Sequence, residues 1–353
     1  MIKYLITGGA GFIGSCLVRR LAKKDNDILI IDNLSYSSNT ENISNVLKKK
    51  NCYLKKIDIS DFKKVLKCIK SFKPDIIFNL AAESHVDRSI DKNYPFIKSN
   101  ILGTHSILEA TRLYFESLKK QKKNKFRFIH ISTDEVYGDL KNKKNLFKET
   151  DRFDPSSPYS ASKASSDHLV NAWYKTYGIP SIITNCTNNF GPFQHPEKLI
   201  PHMIISALTG KKLPIYGNGL QTRDWIYVED HVSALLKVSQ KGKIGQTYNI
   251  GGNNQIKNIN IIKKICCYLD KNFKKEKKDS FYNQALHVAD RPAHDTRYAV
   301  NIYRIKKDVG WKPTLQFDKL LNNTVKWYLE NSSWWNKTLK KKYKLKRIGL
   351  KNG

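Results

Sequence analysis

Tyr159-Ser160-Ala161-Ser162-Lys163 sets a phenol and an ammonium four positions apart, so on a helix both project from one face. A cation beside a phenol favours the phenolate and draws its pKa towards neutrality, as a base that turns an alcohol into a ketone requires. A second pair lies upstream, in Ile129-His130-Ile131-Ser132-Thr133-Asp134-Glu135-Val136-Tyr137-Gly138, where two adjacent carboxyls follow an apolar run. In a regular strand Thr133 and Glu135 would face one way and Asp134 the other, so joint use of the carboxyls requires the chain to turn there. Like charges in a closed site push one pKa upward, leaving one carboxyl protonated as an acid beside a base. Next to a newly formed ketone, whose neighbouring C–H is acidic, such a pair can expel water.

Chemistry of this kind needs an oxidant, and the N-terminus carries a site for one. Thr7-Gly8-Gly9-Ala10-Gly11-Phe12-Ile13-Gly14 follows a short apolar run and opens an amphipathic segment. Gly8, Gly11 and Gly14 suit a tight turn, close approach to a pyrophosphate and close helix packing, with the phosphates on the helix N-terminus. Asp32 ends the next apolar run, 18 positions after Gly14, where a carboxylate accepts hydrogen bonds from an adenosine ribose. It would repel a 2′-phosphate, so NAD is expected over NADP. Asp58-Ile59 and Ala81-Ala82-Glu83-Ser84-His85 follow later apolar runs, at the sheet edge where such folds bind ligands.

These residues need a scaffold, and the pattern around them predicts α/β: a doubly wound parallel Rossmann sheet with a smaller C-terminal substrate-binding domain. Strands are expected near 2–7, 27–32, 52–57, 75–80, 126–132 and 180–185, with helices near 12–24, 61–71, 95–120 and 159–177. The NAD-binding domain is read as 1–187, the substrate domain as 188–330 and a basic tail as 331–353, with strands near 224–250 rejoining the first sheet. After Asn185 the regular alternation fails and Pro, Gly and Asn increase, as suits binding loops.

Composition removes other classes. The chain has 353 residues and a formal charge of +32, which raises nucleic-acid binding. The excess lysine is scattered rather than gathered into one stripe, and the one dense run, Lys337 to Lys351, is terminal; no specific nucleic-acid partner is expected. No stretch approaches the roughly 20 apolar residues of a membrane span, and the start carries no signal-peptide core. The six cysteines lack metal-ligand spacing, so reduced thiols, a cytoplasmic location and no metal are expected.

Taken together, TGGAGFIG, NLAAESHVDRSI, HISTDEVYGDL, PYSASKASSDHLV, NNFGPFQHPEKLIP, RDWIYVEDH and DRPAHDTRYA resemble the dTDP-glucose 4,6-dehydratases, extended members of the short-chain dehydrogenase/reductase superfamily, over about residues 1–330. The resemblance implies that Tyr159, helped by Lys163 and Thr133, takes the C4 hydroxyl proton, that Glu135 takes the C5 proton and that Asp134 protonates the departing C6 hydroxyl. NAD is reduced and regenerated within one cycle. The NAD site would be lined by Gly8, Gly11, Phe12, Ile13, Gly14, Asp32, Asn33, Leu34, Ser35, Asp58, Ile59, Ala81, Ala82, Glu83, Ser84, Ser99, Tyr159, Lys163 and Asn189.

Substrate contacts would fall on His85, Thr133, Asn188, Glu197, Lys198, Leu199, Pro214, Ile215, Tyr216, Arg223 and Asn258, and on Asp290, Arg291, Pro292, Ala293 and His294. Arg223 and Arg291 suit a diphosphate, because a guanidinium fork matches phosphate oxygens. The family's packing implies a homodimer built from helices 95–120 and 159–177. Three positions depart from the family: Thr187 for serine, Ala293 for glycine, and the lysine-rich tail. Ala293 bears on the loop most, since glycine reaches a φ that alanine resists. A related sugar-nucleotide epimerase would share the glycines, Tyr159 and Lys163, yet need no acid–base pair. An NAD-sensing module on a retired scaffold would need no catalytic residues. A UDP-sugar substrate stays open, because thymine and uracil differ by one methyl, worth about 1–3 kcal/mol in a pocket.

Overall fold

The computed structural model describes residues 1–142, 145–273 and 279–342. Its strands run in chain order β1 Lys3–Thr7, β2 Asp27–Asp32, β3 Cys52–Lys56, β4 Ile76–Asn79, β5 Arg127–Thr133, β6 Ser181–Cys186, β7 Asn188–Phe190, β8 Leu213–Tyr216, β9 Thr222–Tyr227, β10 Thr247–Ile250, β11 Gln255–Lys257 and β12 Ala285–Val288. Seven of them form one sheet in the order β10-β6-β5-β4-β1-β2-β3, every pair parallel. The order reverses between β1 and β4, which opens the crevice at their carboxyl ends where doubly wound sheets bind ligands.

Both faces of this sheet are covered, and the strand sequences show why. In β1, Tyr4 and Ile6 enter one apolar cluster and Leu5 the opposite one; in β2, Ile28 and Ile30 divide from Leu29 and Ile31 in the same way. Alternate residues face opposite ways in a strand, so an all-apolar run demands helices on both sides. Phe12–Leu21 and Val228–Lys241 cover one face; Phe62–Phe72, Gly103–Glu116 and Pro158–Tyr177 cover the other. The predicted strands and helices of the first half are present, with ends shifted by a few residues. The helix expected at 95–120 is Tyr94–Phe96, a stretch of wider turns at Ile97–Leu102, then Gly103–Glu116.

Of the two runs expected to rejoin the sheet, only β10 does so, against β6. β9 instead pairs with β7 and β11 in a small separate sheet, while β8 and β12 make a two-stranded ribbon. A further core forms around Leu199–Leu208, Asn258–Asn272 and Phe317–Glu330. The segment read as a basic tail begins as a helix, Ser332–Lys342, because Trp334 and Trp335 bury their rings in that core. Trp334 Nε1 also donates to Asn42 Oδ1 at 3.0 Å, and Asn42 Nδ2 donates to Ala10 O at 3.1 Å. Residues 343–353 lie outside the described residues.

Candidate active site

The cofactor half of the crevice is built first by backbone. Gly8 has φ +68°, and a Cβ there would meet Ala81 N at 2.8 Å; a Cβ on Gly14 would meet Gly8 O at 2.2 Å. Glycine is therefore required at both. The helix Phe12–Leu21 begins without a side-chain cap and without an acidic residue in its first turn, so free N–H groups point into a groove lined by Gly8, Gly11, Phe12, Ile13 and Gly14. That arrangement fits a pyrophosphate. Asp32 lines the groove and also fixes it, accepting from Ala10 N at 2.9 Å, Leu34 N at 2.8 Å and Ser38 Oγ at 2.8 Å. A buried carboxylate set there suits ribose hydroxyls and opposes a further phosphate.

Asn33, Ser35 and Ile59 line the same groove, as do Ala81, Ala82, Glu83, Ser84, Ser99 and Asn189. Leu34 and Asp58 do not. Leu34 adopts φ +56° and packs against the core beneath the sheet edge. Asp58 turns to Ser60 and to Lys98, 3.0 Å away.

At the end of β5 the chain turns, as the carboxyl pair requires. Thr133 caps a tight helical turn, Asp134–Tyr137, by accepting from Glu135 N at 3.3 Å, and the turn closes at Gly138 with φ +80°. Both carboxyls thereby enter the crevice. Asp134 is 1% exposed; burial, then the charges of Glu135 and Asp224, hold it well above the usual carboxylate range. Glu135 is raised by burial but is drawn back by Arg291, Arg223 and Lys198. One carboxyl is thus kept as an acid while its neighbour faces cations.

Tyr159 and Lys163 reach the crevice from Pro158–Tyr177. Ser157 fixes where that helix starts, through a capping box with Ser160. The expected drift of Tyr159 towards neutrality does not hold in this structure: burial first, then Glu135, push the phenol well above its usual value, with the Thr133 hydroxyl pulling the other way. Lys163 lies below its usual value because it is wholly buried, and its Nζ donates to Ile131 O at 2.8 Å.

A second half continues from the first, with Ser84, Glu135, Asn188, Glu197 and Lys198 shared between them. It is lined by His85, Leu199, Pro214, Ile215, Tyr216, Arg223, Asn258, Arg291 and His294; Thr133 lies in the cofactor half. Buried polar atoms without a protein partner cluster here: His85 Nδ1, Asn188 Oδ1, Asn258 Oδ1 and Arg291 Nε. Such atoms are costly unless a ligand satisfies them. Asp290 organises the loop rather than lining it, accepting from His294 Nδ1, Gln221 Nε2 and its neighbour Arg291 N. Pro292 and Ala293 are exposed and outside the lining. Ala293 does take the left-handed φ, +50°, that glycine would favour.

Sequence reasoning missed Asp87, Gln221 and Tyr298, along with Thr187, Gln194 and His195 in the cofactor half. Asp87 is the most telling omission. It accepts from Arg291 Nη1 at 2.6 Å and from Tyr216 Oη at 3.2 Å, so one buried carboxylate orients two lining side chains. Its place in His85-Val86-Asp87-Arg88, at the start of a helix after β4, was the available signal.

Residues 5–324 match the model of the family described as GDP-mannose 4,6 dehydratase. The chain is 51% identical over 342 residues to dTDP-glucose 4,6-dehydratase 1 of Escherichia coli K12, covering 94% of each. It is 48% identical over 353 residues to the dTDP-glucose 4,6-dehydratase of Neisseria meningitidis, covering 99% of each. Among solved structures, the Bacillus anthracis dTDP-glucose 4,6-dehydratase in complex with NAD superposes with a TM-score of 0.84 at 39% identity, covering 96% of this chain and 100% of that one.

Proposed function

The chain belongs to the GDP-mannose 4,6 dehydratase family and stands within it among the dTDP-glucose 4,6-dehydratases, and from that premise we propose the division of labour in its crevice. It is an NAD-dependent hydro-lyase that converts dTDP-glucose to dTDP-4-keto-6-deoxyglucose and water, by oxidation at C4, elimination across C5 and C6, and reduction at C6. When bound, NAD supplies a reversible hydride carrier. The glycine loop, Asp32 and the uncapped helix N-terminus are the groups that hold it.

One observation carries the reading: of two adjacent carboxyls, buried Asp134 lines the cofactor half of the crevice and partly buried Glu135 stands where that half meets the second. An epimerase uses Tyr159 and Lys163 but has no need of this pair. The Lys163 ammonium favours the phenolate form of Tyr159, which takes the proton of the C4 hydroxyl and becomes the phenol. Glu135, facing Arg291, Arg223 and Lys198, is the base for the C5 proton. Asp134, kept protonated by burial and by Glu135, delivers a proton to the departing C6 hydroxyl. Because these groups are fixed before substrate arrives, little reorganisation is left for the chemical steps. Arg223 and Arg291 present guanidinium groups to a diphosphate.

Two wider features accompany the proposal. The exposed side of Tyr94–Glu116 carries Tyr94, Ile97 and Leu102 beside exposed Ala161 and Ala172 of Pro158–Tyr177; this apolar strip supports a homodimer with a four-helix interface. All six cysteines are free, and among the described residues no helix is long and apolar enough to cross a membrane, in keeping with work in the cytoplasm.

Incubation of the purified protein with dTDP-glucose and, separately, with UDP-glucose tests the reading. The expected product is the 4-keto-6-deoxy sugar, formed faster from the dTDP substrate. A product that keeps its C6 hydroxyl and is inverted at C4 would replace dehydration with epimerisation.

A further inference from the structure

Beneath Lys163 lies a polar chain that the mechanism above does not use. Ala81 N donates to Thr7 Oγ1 at 3.1 Å, Thr7 Oγ1 donates to Asn79 Oδ1 at 2.7 Å, and Asn79 Nδ2 meets His130 Nδ1 at 3.1 Å. Each link fixes the next. A backbone N–H can only donate, so the Thr7 hydroxyl proton is free to go to Asn79 Oδ1, the Asn79 amide then turns its N–H to His130, and His130 Nδ1 must accept. His130 is therefore neutral with its proton on Nε2. That nitrogen lies 3.2 Å from Ser166 Oγ, 3.3 Å from Asp167 Oδ1 and 3.5 Å from Lys163 Nζ.

Asp167 has no exposed surface, and it is poorly satisfied for a carboxylate. Its Oδ2 accepts from Ser132 Oγ at 2.8 Å, while Oδ1 takes no well-aligned hydrogen bond. A buried carboxylate with one hydrogen bond needs a cation. The neutral imidazole cannot be that cation, and on the other side of it stands Lys163, itself buried.

We propose that Asp167 is the buried counter-ion of Lys163 and, through it, a positioning residue for removal of the C4 hydroxyl proton; the second clause rests on the function proposed above. The other titratable groups facing the pair do not compete for the role. Cys186, on β6, is pushed up to about 12 by burial and is an uncharged thiol. Tyr137, beside Asp167, is also raised by burial. Tyr159 shares the helix and is raised, and Asp134, at the end of β5, is kept protonated. Among the described groups acting on Lys163, Asp167 is the foremost one that favours its charge.

Two measurements test this, the first of which is independent of substrate. Lys163→Met, Asp167→Asn and the double variant are compared by thermal unfolding. Each single change leaves one buried charge unpaired, so each lowers Tm, whereas the double variant recovers at least about half of the summed loss, because removing both partners of a buried pair is far less harmful than removing one. Additive losses would overturn the pairing, whatever the enzyme's substrate. If Asp167→Asn is too unstable to purify, recovery of folded protein in the double variant gives the same answer.

The second measurement is the pH profile of cofactor reduction on mixing with dTDP-glucose. Without the carboxylate, Lys163 loses its proton more readily, so in Asp167→Asn the alkaline limb moves down by about one pH unit or more, KM changes less than kcat, and Asp167→Glu restores most of the limb. A uniform loss of rate with both limbs unmoved, or an unchanged profile, would reduce Asp167 to a structural residue and overturn the positioning role. Limb movement with additive Tm losses would likewise overturn the counter-ion assignment.

Discussion

Asp134 Oδ1 accepts from the Thr133 hydroxyl at 3.4 Å, while its buried Oδ2 has no partner within the protein. A carboxyl held protonated with one oxygen unengaged is ready to give its proton to something that enters the crevice. Asp134→Asn combined with Glu135→Gln should therefore spare the first oxidation and stop the elimination. On mixing with dTDP-glucose, reduced cofactor should accumulate, while 4-keto-6-deoxy product falls by roughly 10²–10⁴-fold, the usual effect of losing a placed acid or base. Tyr159→Phe should instead slow cofactor reduction itself. Near-native product formation by the double variant would make the carboxyls bystanders.

Acid should destabilise the fold earlier than its carboxylates alone would dictate. Burial lowers His85, His130, His195, His202 and His294 to about 4 and His231 to about 3. Their unfolded value is near 6.5, so between about pH 6.5 and pH 4 the unfolded chain binds more protons. Stability is full above that window and is lost as pH falls through it, by up to about 1.4 kcal/mol per pH unit for each group. Asp224, raised to about 6 by burial, and Asp134, Glu135 and Glu83, also raised by burial, act in the opposite sense, gaining stability as they protonate, but the six histidines outnumber them. Urea titrations from pH 7 to pH 5 should show a steady decline, with a shallower slope in His231→Gln; a flat profile would contradict the burial argument.

Relief of a strained backbone should be measurable at Ala293. A side chain in the left-handed region costs roughly 1–2 kcal/mol, and Ala293 sits there at φ +50° while exposed. Ala293→Gly removes that strain and loses no packing, though the freer unfolded chain takes back roughly 0.4–1 kcal/mol. The expected result is a gain in stability of up to about 1.6 kcal/mol in denaturant titration, with kcat unchanged. A loss of stability would mean that the loop is not strained.

If the strip on Tyr94–Glu116 closes a dimer, one charge should open it. Leu102 is 47% exposed in the single chain, and a carboxylate there would be buried against a second copy without a partner. Native protein at micromolar concentration should sediment at twice 40.8 kDa, and Leu102→Glu at the single mass. A native monomer would remove the interface.

Legibility in the sequence followed how local the signal was. Strands such as Asp27–Asp32 are apolar on both faces and read clearly. The acid–base pair was legible because two carboxyls directly after a buried strand have few other uses. β8 and β12 escaped notice because each has four residues and Leu213 pairs with Ala285, far along the chain. Asp87 reads locally as an ordinary surface charge; only folding brings Arg291 to it. Trp334 and Trp335 were hidden among lysines, whose charge masks a buried face. The direction of the Tyr159 shift is not legible in the sequence, because the Lys163 spacing is local while the burial that outweighs it arises only on folding.

The place of β10 at the edge of the main sheet also bears on how the chain comes off the ribosome. β6 is buried along its whole length, yet its outer neighbour, Thr247–Ile250, is synthesised only after β7, β8 and β9 of the other two sheets. Until residue 250 has emerged, β6 presents an open hydrogen-bonding edge of the kind that recruits other strands. Residues 1–187 expressed alone would keep that edge permanently. Such a fragment should aggregate, whereas one extended past Ile250 has the strand that closes it.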